Sequence, residues 1–200
     1  MLELIFASNN NHKTAEIQAT IGNFVKIITL KQAGITIDIP EPHNTLEANA
    51  SEKSKVIFKV TGKNCFSEDT GLEVKALHGE PGVRSARYSD VDKQFTTNSE
   101  KLLYKLKEIV DRNARFRTVI SLRMNDTEFL FEGICEGSIA YHPGGSNGFG
   151  YDAVFVPSGS NKTFGEMTLE EKGLFSHRKK ATDKMVVFLQ QMITDNQKRV

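Results

Sequence analysis

The feature that most constrains the fold is a β-hairpin pattern set among alternating helix and strand patterns. Residues 116–124 and 127–133 are rich in strand-forming side chains and flank Asn125-Asp126, a pair suited to a tight turn. Hairpin strands run antiparallel, whereas strands separated by helices usually run parallel. The sequence therefore predicts an α/β fold with a mixed sheet that is not purely parallel.

The other elements are predicted from hydrophobic periodicity and from residues that end helices and strands. Further strands are predicted at residues 2–7, 25–30, 35–39, 64–67, 136–141 and 153–156. Helices are predicted at residues 13–21, 46–60 and 98–110, in a short segment capped by Thr168 and Glu171, and in a last segment capped by Ser176.

Composition predicts one domain over residues 1–200 and excludes several classes of protein. The formal net charge of +1 and the lack of a groove-reading motif argue against a nucleic-acid partner. The sequence has no apolar run long enough to span a membrane and no signal-peptide pattern, so we expect no membrane partner and a cytoplasmic location. Cys65 and Cys135 form no C-x-x-C pair, and we interpret them as buried thiols.

The first candidate site is the polar segment between the first predicted strand and helix. It consists of Ser8, Asn9, Asn10, Asn11, His12 and Lys13. Free N–H groups at a helix start favour an anion, and Asn residues help such groups to converge. The segment differs from a P-loop, and an Asn-rich turn with a solvated lysine is the alternative.

Lys53 is a second candidate because it lies on the apolar stripe of its predicted helix. It stands seven residues after Leu46 and four before Ile57, so it shares their helix face. A lysine on a core-facing stripe is costly unless it is paired or reaches a cavity. The alternative is a side chain that extends to the rim of the core.

Two adjacent carboxylates, Glu68 and Asp69, fall at the predicted end of a strand and are followed by Thr70. Strand ends in α/β folds commonly bind ligands, and Mg²⁺ takes one or two protein carboxylates. Glu41, in the loop after another predicted strand, is a further candidate ligand. An ordinary acidic turn is the alternative.

The last candidates lie in the final third of the chain. The first turn of the last helix is His177-Arg178-Lys179-Lys180, and cations there oppose the helix dipole unless an anion or an acceptor-rich ligand lies nearby. Simple surface charge is the alternative. Upstream lie Lys172 and a loop that ends in Phe149, Gly150, Tyr151 and Asp152, whose aromatic rings could stack on a base.

Taken together, these segments resemble the inosine/xanthosine triphosphate pyrophosphatase family over nearly the whole chain. The motifs, in order, are Ala7-Ser8-Asn9-Asn10-x-x-Lys13, Ser67-Glu68-Asp69-Thr70-Gly71-Leu72, Pro81-Gly82-Val83-Arg84-Ser85-Ala86-Arg87-Tyr88, Gly148-Phe149-Gly150-Tyr151-Asp152 and Ser176-His177-Arg178. The chain departs from the family pattern where Ser8-Asn9 replace Thr-Gly and where Ala153 replaces a proline.

The resemblance implies a long, twisted mixed sheet flanked by helices, two lobes with a central active-site cleft, and a homodimer. It implies that Ser8 to Lys13, Lys53 and Thr70 contact the triphosphate, and that Glu41 and Asp69 bind Mg²⁺. Asp69 would also accept a proton from water, with Lys13 and Lys53 completing the catalytic group. The base would be surrounded by Phe149, Gly150, Tyr151, Asp152, Lys172, His177 and Arg178.

The activity that the resemblance implies is hydrolysis of inosine, deoxyinosine and xanthosine triphosphates to the monophosphate and pyrophosphate. Two alternatives stay open on the residues alone. One is a Maf-type pyrophosphatase that acts on modified pyrimidines. The other is a non-catalytic nucleotide-binding module, against which the three carboxylates Glu41, Glu68 and Asp69 argue.

Overall fold

The protein is described here by a computed structural model that covers residues 2–92 and 94–197, with the backbone alone at residues 196 and 197. Helices and strands are mixed along the chain. The strands are β1 (Leu2–Phe6), β2 (Val25–Thr29), β3 (Cys65–Val74), β4 (Pro81–Gly82), β5 (Asn113–Met124), β6 (Thr127–Ile139) and β7 (Phe155–Pro157). The helices are α1 (Asn11–Ile21), α2 (Leu46–Thr61), α3 (Asn98–Lys105), α4 (Leu169–Gly173) and α5 (His177–Gln197).

The strands form one seven-stranded sheet in the order β2-β1-β3-β5-β6-β7, with β4 paired to β3. The pairs β1–β2 and β1–β3 are parallel, whereas β3–β4 and β6–β7 are antiparallel. The predicted mixed sheet is therefore confirmed.

The chain divides into two compact units. Unit 1 takes the chain up to Asp69, residues Thr118–Gly133 and the chain from Arg178 onward, and unit 2 takes Thr70–Arg117 and Ile134–His177. The prediction of a single functional domain over residues 1–200 stays a prediction.

Unit 1 contains two groups of buried apolar side chains. In the first, residues of α1 and α5 pack with Phe6 and Phe66, whose rings stack with centroids 4.6 Å apart. In the second, Ile57 of α2 packs with Cys65 and Ile5. Because consecutive strand residues point to opposite faces, Phe66 faces α1 and α5 while Cys65 faces α2.

Unit 2 has one apolar core built around phenylalanines. Phe116, Phe155 and Phe164 are buried with Leu72 and Leu102, and the rings of Phe116 and Phe155 meet edge to face at 4.7 Å. The core thus relies on phenylalanine for its large aromatic contacts, in a chain that has no tryptophan.

Several local predictions are confirmed. Thr45 caps α2 by accepting a hydrogen bond from the Ala48 N–H, and Gly62 ends that helix with a left-handed backbone. Thr168 and the side chain of Glu171 form the capping box that begins α4. The hairpin turn between β5 and β6 has positive φ angles at both central residues, 48° and 66°.

One strand prediction is wrong, and a second is confirmed as a strand but wrong in its end. Residues 35–39 form no strand, because the alternating isoleucines do not share a buried face: Ile35 is 9% exposed but Ile37 is 41% exposed. The strand predicted at residues 64–67 continues to Val74 as β3. Its polar residues Glu68 and Asp69 are buried within the strand, so charge did not mark its end.

The other boundary differences are smaller. The helix predicted to reach residue 110 ends near Lys105, and the segments predicted at 127–133 and 136–141 form one strand, β6. The strand predicted at residues 153–156 is observed as β7, two residues later at its start. No helix in the described ranges is long and apolar enough to span a bilayer.

Gly137 in β6 provides a test of the packing in unit 2. A Cβ atom at this position would lie 2.3 Å from the carbonyl oxygen of Val156 and 2.6 Å from the Phe155 ring. We expect Gly137→Ala to lower the free energy of unfolding by about 1–3 kcal/mol, because backbone or core must shift. Urea denaturation measures the change, with Ser138→Ala on the same strand as the control; equal stabilities of the two variants would contradict this packing.

Candidate active site

The two adjacent carboxylates of β3 serve different clusters because they point to opposite faces of the sheet. Ser67 donates a hydrogen bond to the carbonyl of Ala50 in α2, at 2.5 Å, so alternate residues on this face look toward α2. Asp69 shares that face. Glu68 shares the face of Phe66, toward α1 and α5. The prediction that the acidic pair lies at a strand end, as one ligand group, is therefore wrong.

On the first face, Glu68 is the centre of a buried ion network in unit 1. Lys13 Nζ lies 2.8 Å from Glu68 Oε1, and Arg178 Nε lies 2.7 Å from Glu68 Oε2. Arg178 also donates through Nη2 to Glu68 Oε1 at 3.3 Å and through Nη1 to Glu16 Oε2 at 2.5 Å. The side chains of Glu68 and Arg178 are 0% and 2% exposed, so this central pair lies out of water, with Lys13 and Glu16 at its partly exposed edges.

The charges of this network outweigh the cost of burial. Burial alone would raise the pKa of Glu68, but the charges and hydrogen bonds of Arg178 and Lys13 hold it well below its ordinary range. Burial alone would lower the pKa of Arg178, but Glu68 and Glu16 raise it. Both ends of the pair thus stay charged.

This network also explains the cations at the start of α5. Arg178 pairs with the carboxylates of Glu16 and Glu68. Lys179 pairs with Asp183 at 2.7 Å, one turn along the helix. Simple surface charge is the wrong interpretation for His177 and Arg178, since each is 2% exposed.

The polar segment before α1 is held in place by hydrogen bonds from backbone N–H groups to its side chains. Asn10 caps the helix by accepting from the Lys13 N–H at 3.1 Å, and Ser8 Oγ accepts from the Asn10 N–H at 3.1 Å. Asn9 Oδ1 accepts from the N–H of Lys31 at 3.0 Å. A glycine, which the resemblance would place at position 9, could not make this last bond. Asn9 to His12 are exposed, so the helix start is open to solvent.

On the second face of β3, Lys53 lies between two carboxylates of unit 1. Its Nζ is 2.5 Å from Glu41 Oε1 and 3.3 Å from Asp69 Oδ1. Lys53 is 6% exposed, which confirms that it lies on the buried stripe of α2. Burial raises the pKa of Asp69, Lys53 lowers it and Glu41 raises it again, with a net rise.

The Asp69 group has features that fit a hard cation. Asp69 Oδ2 is buried and has no hydrogen-bond partner among the described residues. Glu41 and Asp69 already share one cation, the Lys53 ammonium, and Mg²⁺ prefers oxygen ligands of this kind, completed by water and phosphate. Within residues 2–92 and 94–197, no three His, Cys, Asp or Glu side chains converge as a metal-binding group, so the protein offers a pair.

In unit 2, Asp152 anchors the end of the glycine-rich loop. Its Oδ2 accepts from Lys172 Nζ at 2.7 Å and from the Phe149 N–H at 2.8 Å. Lys172 Nζ also lies 5.4 Å from the centre of the Phe149 ring and 5.2 Å from that of Phe164. A Cβ at position 148 would lie 2.0 Å from Asp152 Oδ2, so only Gly148 allows this approach.

His177 belongs to the same unit and is held by aromatic rings. Its imidazole stacks on Phe116 with centroids 4.5 Å apart and an interplanar angle of 11°. The ring is thereby fixed in orientation, in a position where it is 2% exposed.

The remaining predicted residues lie as follows. Tyr151 is 3% exposed and donates its hydroxyl to the carbonyl of Ser85 at 2.9 Å, so it contributes to the core of unit 2. The carbonyl of Gly150 accepts from Ser99 Oγ at 3.0 Å. Thr70, half-buried, is the first residue of unit 2. The contacts of these residues with a base or phosphate stay predictions.

Sequence reasoning missed three residues of these clusters. Glu16 stands three residues after Lys13. Asn49, whose side chain lies near enough to Asp69 to lower the pKa of that carboxyl, stands four residues before Lys53. Helical spacing therefore placed each beside a residue already singled out. Phe116 gave no comparable signal, because its contact with His177 depends on tertiary packing.

Comparison with known proteins places this chain in a family. Residues 4–188 match the model of the Ham1 family. A protein of Flavobacterium psychrophilum named dITP/XTP pyrophosphatase is 45% identical over 187 residues, which are 94% of this chain and 98% of that protein. The structure of the Staphylococcus aureus Ham1 protein superposes with a TM-score of 0.84 at 37% identity, covering 95% of this chain and 99% of that chain. A HAM1 protein from Coxiella burnetii gives a TM-score of 0.85 at 34% identity, covering 96% and 100%.

The Glu68 network predicts a specific loss of stability in acid. At pH 7 we expect Glu68→Gln to lower the free energy of unfolding by about 3–5 kcal/mol, because buried Arg178 loses its main carboxylate. The lowered pKa means that the stabilisation by Glu68 is fully present above the unfolded-state pKa of about 4.3. It decreases as the pH falls from there toward the lower folded-state pKa. The difference between wild type and variant should therefore shrink from about pH 5 to pH 3.

Glu3→Gln is the matched control, because Glu3 forms an exposed ion pair with Lys26 at 2.6 Å. It should change stability far less, since solvent screens such pairs. A wild-type-to-Glu68→Gln difference that is independent of pH would contradict the network.

Proposed function

Because the chain belongs to the Ham1 family, we propose that it hydrolyses non-standard purine nucleoside triphosphates to the monophosphate and pyrophosphate. The substrates would be inosine, deoxyinosine and xanthosine triphosphates. Their hydrolysis would remove non-standard purines from the nucleotide pool. The support is the name of the Flavobacterium psychrophilum relative, dITP/XTP pyrophosphatase, at 45% identity over 94% of this chain. The observation that carries the chemistry is the pair of carboxylates, Glu41 and Asp69, on either side of the buried Lys53.

The triphosphate would be bound by cations and by a helix start. Lys13 lies in the first turn of α1, whose N–H groups favour an anion. Ser8 and the exposed residues Asn9 to His12 lie at that helix start. Lys53 would supply a second charge and Thr70 a hydroxyl. Lys13 would reach a phosphate while Arg178 continues to neutralise Glu68.

Glu41 and Asp69 are the residues that would hold Mg²⁺. When bound, the ion would neutralise charge on the phosphates during hydrolysis. Asp69 would orient the attacking water and accept its proton. Its Oδ2, which is buried and has no hydrogen-bond partner in the described part of the chain, is the atom suited to that role. Lys13 and Lys53 would stabilise the negative charge that develops as the bond between the α- and β-phosphates breaks.

The base would be recognised by donors. Hypoxanthine and xanthine carry an acceptor O6 where adenine carries a donor amino group, so Lys172 and His177 would favour the former. Asp152 holds Lys172 in place, and Phe149, Gly150 and Tyr151 complete the loop beside it. Arg178 would contact the base only by exchanging part of its bonding to Glu16 and Glu68.

We also propose a homodimer, from the family resemblance, and a cytoplasmic location, from the sequence patterns described above. The oligomeric state is measured directly by light scattering of the purified protein.

The proposed activity is tested by pyrophosphate release in the presence of Mg²⁺ from inosine, xanthosine, adenosine, guanosine and cytidine triphosphates. We expect Asp69→Asn to lower turnover of inosine triphosphate by about 10²–10⁴-fold, because the proton acceptor is lost while the shape is kept. Glu3→Gln, an exposed carboxylate change, should leave turnover unchanged. Near-normal turnover of Asp69→Asn would refute the role of Asp69, and preference for the pyrimidine substrate would indicate a Maf-type activity.

Base selectivity should depend on Lys172. We expect Lys172→Met to lower the ratio of kcat/KM for inosine triphosphate to that for adenosine triphosphate by about 10–100-fold, because a charged donor to O6 is lost. Lys162→Met is the control, since Lys162 pairs with Glu171 at 2.8 Å on the surface. An unchanged ratio in Lys172→Met would argue against base contact at this position.

A further inference from the structure

Glu41, the less buried member of the carboxylate pair, lies in a segment with no regular structure. Residues 35–43 form neither helix nor strand, and the side chains of residues 42–45 are exposed. A carboxylate on such a segment cannot take its position from a hydrogen-bonded ladder. The ion pair with Lys53 holds the Glu41 side chain, but the backbone of the segment needs an anchor of its own.

Asn49, in the first turns of α2, provides that anchor. Its Oδ1 accepts from the N–H of His43 at 2.9 Å, and its Nδ2 donates to the carbonyl of His43 at 3.1 Å. One side-chain amide thus binds both polar groups of a single backbone residue, two positions after Glu41. Asn49 is fully buried, so these bonds replace its bonds to water.

The same amide lies beside the rest of the carboxylate pair. Asn49 precedes Lys53 by four residues and therefore shares its face of α2. Its side chain also lies near enough to Asp69 to lower the pKa of that carboxyl. One buried side chain is thus hydrogen-bonded to the segment of Glu41, shares a face of α2 with Lys53 and lies near Asp69.

We propose that Asn49 is a positioning residue, which fixes the Glu41 segment against α2 and so sets the separation of the Glu41 and Asp69 carboxylates. Groups that orient metal ligands in this way typically change metal affinity or activity by about 10–100-fold when they are removed. The catalytic consequence rests on the proposed function, whereas the structural role of Asn49 does not.

The chemistry of the contact requires an amide. The His43 N–H needs an acceptor and the His43 carbonyl needs a donor, and a carboxamide supplies both. An aspartate at position 49 would keep the acceptor, lose the donor and place a third negative charge near Asp69. An alanine would remove both bonds.

The test uses the full chain with Asn49→Ala and, as a milder change, Asn49→Ser. The exchange rate of the His43 amide hydrogen, read by NMR, should rise about tenfold in Asn49→Ala because its acceptor is lost. Titration with Mg²⁺ alone, followed by amide shifts in the same spectra, should show affinity weakened by about 10–100-fold. The expected kinetic effect is a loss of kcat for inosine triphosphate that exceeds the change in KM.

Ser54→Ala is the matched control. Ser54 is fully buried on the same helix, but its hydroxyl bonds to Ser121 Oγ at 2.6 Å, away from the Glu41 segment. It should lower stability without changing His43 exchange or Mg²⁺ affinity.

If Asn49→Ala does not fold, the same measurements on Asn49→Ser test the role of Asn49. Wild-type exchange at His43 together with wild-type Mg²⁺ affinity in a folded Asn49 variant would overturn the proposal. If the wild-type protein hydrolyses no triphosphate, the proposed function fails, but the exchange and Mg²⁺ titration still decide the role of Asn49.

Discussion

The two-residue period of side chains along β3 is the constraint from which the polar architecture of unit 1 follows. Glu68 and Asp69 are adjacent in sequence and buried, yet they must point to opposite faces of the sheet. Each face is covered by different helices, so each carboxylate needs its own cation from a different part of the chain. Lys13 and Arg178 meet Glu68, and Lys53 meets Asp69.

The two sites differ in how completely they are satisfied. Glu68 is bound by two cations and keeps a low pKa, so it behaves as a fixed charge of the framework. Asp69 has one ammonium shared with Glu41, an oxygen with no hydrogen-bond partner among the described residues and a raised pKa. Unsatisfied buried groups are costly, and they occur where a ligand or a reaction supplies the missing partner. The same strand thus carries one carboxylate that is neutralised within the protein and one that we propose as the proton acceptor of the reaction.

Local signals allowed much of this to be predicted from the sequence, and long-range pairing accounts for the rest. The cap at Thr45, the box at Thr168 and the hairpin turn depend on neighbouring residues, and all three are confirmed. The burial of Lys53 was also predictable, because helical period alone placed it on the apolar stripe. The extent of β3 was not predictable, because buried charges within a strand are tolerated only when residues distant in sequence, such as Arg178, pair with them.

The sharing of Glu68 between Lys13 and Arg178 has a consequence for how this chain can vary. One carboxylate joins residues from opposite ends of the sequence, so neither cation can be lost without leaving the other to neutralise Glu68 alone. A neutral residue at position 68 would remove the carboxylate that pairs with Lys13 and would leave Arg178 with Glu16 alone. Substitutions at these three positions should therefore be accepted in concert rather than singly, and they should appear as a covarying set when related chains are aligned.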